Sequence, residues 1–284
     1  MSKSACDDLE TRIPALVGVM ANHGWGRGSM LLHRWLHLGA NDKPKHGVHD
    51  LNTVRMDWVL IYGRALSAYR AAKENRIWVN EKAQEVIIGK LIERKGVRLP
   101  EKVGDRVDIG NIGEGQPRNP GNVLGFHNDW QVQYKEVAQS KFTSPMDDLY
   151  AALGDFSFYF LVKGFVERLE DQSGQPRYRV TVNKVGAYVM DSYDFNDTHA
   201  KETMRGRALS WLASKPFTNV GASQPLGIWG CQPPYVGKEP GINRHYVNNY
   251  DFREWRRKYG KGRGGDFLVF SDIKVFDTDD SFEF

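Results

Sequence analysis

Three carboxylates, a phenol and an imidazole fall within nine consecutive residues, Asp191-Ser192-Tyr193-Asp194-Phe195-Asn196-Asp197-Thr198-His199. That set offers hard oxygen ligands for a divalent cation, a general base for water and a proton donor for a leaving group. These are the parts that hydrolysis of a phosphoester or pyrophosphate needs. Crowded carboxylates repel, and a cation or a raised pKa relieves them. The same residue types also answer a plainer demand, since Asp, Asn and Thr ahead of a helix form caps and turns. Tyr193 and Phe195 would then be core anchors, and residue types alone leave both readings open.

Other residues could join that chemistry. The tract from Arg253 to Gly265 interleaves bases with aromatics and ends in glycines, so Arg256 and its neighbours could grip phosphate; a solvated basic helix end is the alternative. Its glycines do not form a Walker pattern, which needs Lys followed by Ser or Thr. His245 could face the same substrate, although a lone histidine is more often surface or core. His33 and His37 stand at i and i+4 without the glutamate of a zinc-protease helix, which favours a packed or surface role over a metal. Trp211, Trp229 and Trp255 could meet a lipid surface or simply be buried.

The elements that must position these residues are legible in outline. Ile13 to Leu38 predicts two helices around a glycine turn at His23 to Gly28. From Asp50, a candidate N-cap, Val54, Trp58, Tyr62, Leu66 and Tyr69 recur at helical spacing. A further helix is expected from the cap Asn80 through Ala83, Val86, Ile87 and Leu91 to Gly96. Pro100 to Gly125 is rich in glycine and proline and reads as a boundary between a helical domain, 1–125, and a second domain, 126–284. Beyond it Phe156 to Val166 and Tyr178 to Val189 predict strands joined across the turn cluster Glu170 to Pro176. The acidic run follows the second strand and precedes a helix expected over Thr198 to Ala213, and such junctions often carry function. Asp266 to Phe270 and Ile273 to Phe276 are expected as terminal strands.

In that setting Asp191, Tyr193, Asp194, Phe195, Asn196, Thr198 and His199 resemble the active-site segment of the colicin M family, in which Asp-x-Tyr-Asp-Phe-Asn leads into Thr-His-Arg and a helix. Leu153-Gly154-Asp155 is similar to the Leu-Gly-Asn that opens the family's β region, and the likeness covers roughly residues 140 to 284. It implies an α+β fold, with a helical N-terminal unit beside a curved antiparallel sheet or half-open β-barrel with helices. It also implies Mg²⁺-dependent hydrolysis of lipid II, the lipid-linked peptidoglycan precursor, between the undecaprenyl chain and the pyrophosphate. Asp191 and Asp194 would be the essential carboxylates and hold the metal, with Tyr193 beside them and His199 as the catalytic imidazole. Asn196, Arg207, His245 and Arg256 would meet the substrate. The gap before Thr198-His199 is one residue shorter than in the family, and Ala200 replaces its arginine, a role that Arg205 or Arg207 could take. Mn²⁺ and Ca²⁺ accept the same oxygen donors as Mg²⁺. Ile13-Pro14-Ala15 through Trp35-Leu36 resembles, more faintly, proteins associated with type VI secretion, which implies an injected antibacterial effector with a cognate immunity protein and a secretion-apparatus partner.

Composition narrows the alternatives. With 39 basic and 35 acidic residues the net charge is +4, a mild excess that does not call for nucleic acid. A toxin nuclease using the basic tract on phosphates, and a secretion adaptor in which the acidic run is merely a cap, are the rival readings. Cys6 and Cys231 are the only cysteines, too few for a disulfide framework or a thiolate zinc site. No apolar run approaches a membrane span. The polar, acidic start lacks the pattern of a secretory signal, so synthesis in the cytoplasm is expected, and the resemblances imply action in a target cell's periplasm.

Overall fold

A computed structural model describes residues 9–41, 48–93, 99–137, 147–195 and 249–284. Its architecture is mixed α+β, as expected. In chain order the elements are α1 (Leu9–Asn22), α2 (Gly26–His37), β1 (His49–Asp50), α3 (Met56–Val59), α4 (Gly63–Glu74), a 3₁₀ turn (Ile77–Val79) and α5 (Glu81–Glu93). There follow β2 (Arg106–Gly110), α6 (Pro120–Trp130), β3 (Gln131–Val137), α7 (Asp148–Leu153), β4 (Phe156–Gln172), β5 (Gln175–Tyr193), α8 (Asn249–Lys258), β6 (Phe267–Phe270) and β7 (Lys274–Glu283). The strands run β1-β6-β5-β4-β2, with β3 also on β4 and β7 also on β5, an open sheet rather than a closed barrel.

The spine is the antiparallel hairpin of β4 and β5, 17 and 19 residues long. Ser173 and Gly174 both take positive φ between Gln172 and Gln175, the geometry of a two-residue turn matched to strand twist. The hairpin was expected from its turn cluster, and both strands extend further than the alternation alone suggests.

The chain forms two compact units, each drawn from separated segments. In the unit of Val54–Val137, Phe156–Met190 and Phe270–Phe284, alternate residues of β4 point one way, so Phe156, Phe158 and Phe160 are all buried. Tyr69 packs on Phe158, and Trp78 on Phe160 and Phe276. Trp78 also donates its indole N–H to the buried Asp280 at 2.8 Å. Asn80 caps α5, accepting from the Ala83 amide at 3.0 Å, as the sequence predicts. The stretch from Pro100 to Gly125 supplies β2, in register with 163–167 of β4, and the start of α6, capped by Asn119.

The other unit comprises Met1–Thr53, Ala138–Asp155 and Asp191–Val269. Here α1 and α2 bury Ile13, Leu16, Met20, Leu31, Leu32, Trp35 and Leu36 at helical spacing. A Cβ on Gly28 would lie 2.6 Å from Ala151, so glycine lets α2 and α7 approach closely. Asp50 does not cap a long helix. It pairs with Val269 as β1 runs parallel to β6, and its carboxylate accepts from the amides of Asn52 and Thr53 and from Arg34. The helix expected from Asp50 to Tyr69 is accordingly two, α3 and α4. Gly96 and the helix expected over Thr198 to Ala213 lie outside the described residues. No helix among the described residues is long and apolar enough to cross a membrane.

Candidate active site

The acidic run begins at the end of a strand. Asp191, Ser192 and Tyr193 end β5, and Asp194 and Phe195 follow. Strand alternation turns Asp191 and Tyr193 to one face and Ser192 to the other. Two rings fix this end of the strand. Tyr193, 8% exposed, lies nearly parallel to Phe267 of β6 with centroids 5.3 Å apart. Phe195 stacks on Phe252 of α8 at 3.7 Å and 8°, and meets Trp35 of α2 edge-on at 4.9 Å. Both rings of the run are packed, and the Tyr193 phenol, the Ser192 hydroxyl and the carboxyls of Asp191 and Asp194 are its oxygen-bearing groups. Burial, followed by the charge of Asp191, pushes the Tyr193 phenol well above its ordinary range, so it stays neutral.

Asp191 is partly exposed, yet burial of its carboxyl pushes its pKa well above the usual carboxylate range. The Ser192 amide opposes that shift, while the charges of Asp194 and Asp155 add to it. Asp194 is oriented instead: the Ser192 hydroxyl donates to its Oδ2 at 2.6 Å, and its own amide donates to the Ser192 carbonyl at 3.0 Å, a tight turn centred on Tyr193. Asp155 arrives from the opposite strand end, just after Gly154 closes α7 with φ +56.

Of the residues expected at the site, Asp191, Tyr193 and Asp194 are together here. Asn196, His199, Arg205, Arg207 and His245 lie outside the described residues, as do Trp211 and Trp229. Arg256 is committed elsewhere. Its guanidinium bridges Asp266, which has no exposed surface, through Nη1 at 3.1 Å and through Nη2, and stands 5.1 Å over the Trp35 ring. Trp35 donates to the same carboxylate at 2.9 Å. Trp255 is buried against Trp35. His33 and His37 are exposed on α2, and the His37 ring sits 2.7 Å from the His33 carbonyl, a surface placement. Sequence reasoning did not single out Ser192, whose role needs the turn at Tyr193, or Trp35. Asp155 it quoted only as part of a likeness.

A cation would bring relief to this end of β5. The donors of Asp191 and Asp194 are carboxylate oxygens, which suit a hard divalent ion that keeps most of its water. Among the described residues no group of three or more His, Cys, Asp or Glu side chains is arranged to hold a metal. What the arrangement offers by itself is an oriented carboxylate beside one that resists ionisation, the pairing of a proton acceptor with a proton donor.

A family model described as a family of unknown function, DUF6402, matches residues 12–233 and 238–284. No curated protein and no solved structure matches the chain.

Proposed function

The chain belongs to the DUF6402 family, whose function is unknown, and we propose from its own residues that it is an antibacterial toxin hydrolysing lipid II. The observation that carries the reading is the end of β5, where Ser192 orients Asp194 beside the unwilling carboxyl of Asp191. In this reading Asp194 takes a proton from the attacking water. Bond cleavage between the undecaprenyl chain and the pyrophosphate then yields the lipid alcohol and a soluble pyrophosphorylated disaccharide-peptide, with a proton returned to the leaving side by His199. Asp191 and Asp194 would hold Mg²⁺, which would supply charge neutralisation at the pyrophosphate. Asn196, Arg207 and His245 enter as substrate contacts, and Arg205 or Arg207 supplies the guanidinium that Ala200 removes from the family pattern; the colicin M resemblance is the sole basis for expecting a curved, half-open barrel around the site. Delivery by a secretion apparatus, action in the target periplasm and a cognate immunity protein belong to the same proposal.

The rival nuclease asked the tract from Arg253 for phosphate contacts. Arg256 is paired with Asp266, and Arg257 and Lys258 both engage Glu254, whose carboxyl they hold at about 2. Cations neutralised in this way are poorly placed to release counterions from a polyanion, which favours the lipid II reading.

The test is incubation of the purified protein with lipid II and Mg²⁺, comparing wild type with Asp194→Ala by chromatography. Wild type is expected to release the pyrophosphorylated product, and the variant to do so at least about 10²-fold more slowly, the scale of a lost general base. No release by folded wild type, or undiminished release by the variant, overturns the reading.

A further inference from the structure

We propose that Arg253 is the positioning residue of this site, fixing the chain where it leaves Asp194; the inference rests on the hydrolase reading above. Three arginines stand on α8, and the structure gives each a different task. Arg256 joins Phe252 and Trp255 on the buried face, where it meets Asp266. Arg257 turns to Glu254 on the exposed side, bonding it twice at 3.0 and 2.8 Å. Arg253 donates from Nη1 to the carbonyl of Phe195 at 2.9 Å. Its neighbour Phe252 stacks on the ring of that same Phe195. Successive residues of one helix therefore hold both the backbone and the side chain of the residue after Asp194.

The hold is directional. A guanidinium bonding a carbonyl is a charge-assisted hydrogen bond with a fixed planar geometry, and the ring stack prevents Phe195 from turning about it. With Ser192 bonded to the Asp194 carboxylate on the other side, the candidate base is located from before and after. Catalytic groups lose about 10²-fold in rate for a displacement of about 1 Å, which sets the size of effect that releasing the clamp should have.

The experiment compares wild type, Arg253→Ala, Arg253→Lys and Arg257→Ala in steady-state lipid II hydrolysis with Mg²⁺, and measures amide hydrogen exchange over 191–195 in each. Arg253→Ala should lower kcat by about 10²-fold while leaving KM near wild type, and should speed exchange in that segment. Arg253→Lys, which keeps one charged donor, should recover part of both, and Arg257→Ala should match wild type. Unchanged exchange in Arg253→Ala overturns the clamp whether or not lipid II is cleaved. A rise in KM with kcat intact also overturns it, because the guanidinium would then be touching substrate. Wild type without turnover refutes the hydrolase reading separately, since the exchange arm needs no substrate.

Discussion

Asp266 and Asp191 belong to the same compact unit and face opposite treatment. Asp266 has no exposed surface and receives what a buried carboxylate requires, the indole N–H of Trp35 and the guanidinium of Arg256. Asp191 keeps some exposure, yet the groups that bear on it are one favourable amide, from Ser192, and two like charges, Asp194 and Asp155. A carboxylate that holds a fold together is matched with donors, because an unpaired buried charge is costly. One set among like charges is the kind found where chemistry is done. In the proposed hydrolase, the difference separates a carboxylate that stabilises from one whose discomfort is useful.

Removing the first should be the costlier change. Asp266→Ala would leave Arg256 and the Trp35 N–H facing a void, and a loss of about 3 kcal/mol in urea unfolding is expected. A loss near zero would mean that the pair contributes no more than a surface ion pair, and the comparison would break. The second should cost activity instead. Asp191→Asn removes a charge that its surroundings oppose, so the urea midpoint should equal or exceed that of wild type while lipid II turnover falls at least about 10²-fold. A stability loss of the Asp266 kind would reclassify Asp191 as a structural carboxylate.

The sequence announced the features that are local. The hairpin was legible because turn residues and alternation lie within one stretch, and Asn80 as a cap because its partner is three residues on. The acidic run was legible for the same reason, as was its place after a strand. What escaped depends on distant partners. Arg256 reads as a phosphate grip until Asp266 and Trp35 are brought to it, and Trp35 is 231 residues away from that carboxylate. Asp50 has the composition of a helix cap, but parallel pairing with Val269 and a bond to Arg34 outweigh that local preference. The helical spacing from Val54 to Tyr69 persists across the break at 60–62, so periodicity alone could not reveal two helices. Strand β2 offers only Val107 and Ile109 in alternation, too little to register beside glycines and prolines.

Asp148 lies between the two extremes and tests whether burial or partners decide. Its carboxylate is buried and accepts the amides of Gly28 at 2.8 Å and Arg27 at 3.2 Å, at the amino end of α2. Those bonds and the Arg27 charge favour the ionised form, but burial outweighs them and the pKa is raised. A carboxyl whose folded pKa exceeds its unfolded value leaves the folded state holding more protons across the interval between the two. Stability therefore falls as pH rises through that interval, from the ordinary carboxylate value upward, and is level above it. Asp148→Asn cannot titrate, and it keeps one acceptor for the helix amides. The advantage of wild type over this variant in urea midpoint should thus be greatest at low pH and narrow as pH rises, a smaller effect than either change above. An advantage that widens with pH would show the amides of α2 prevailing over burial, and would place Asp148 with Asp266 among the carboxylates that the fold has fully matched.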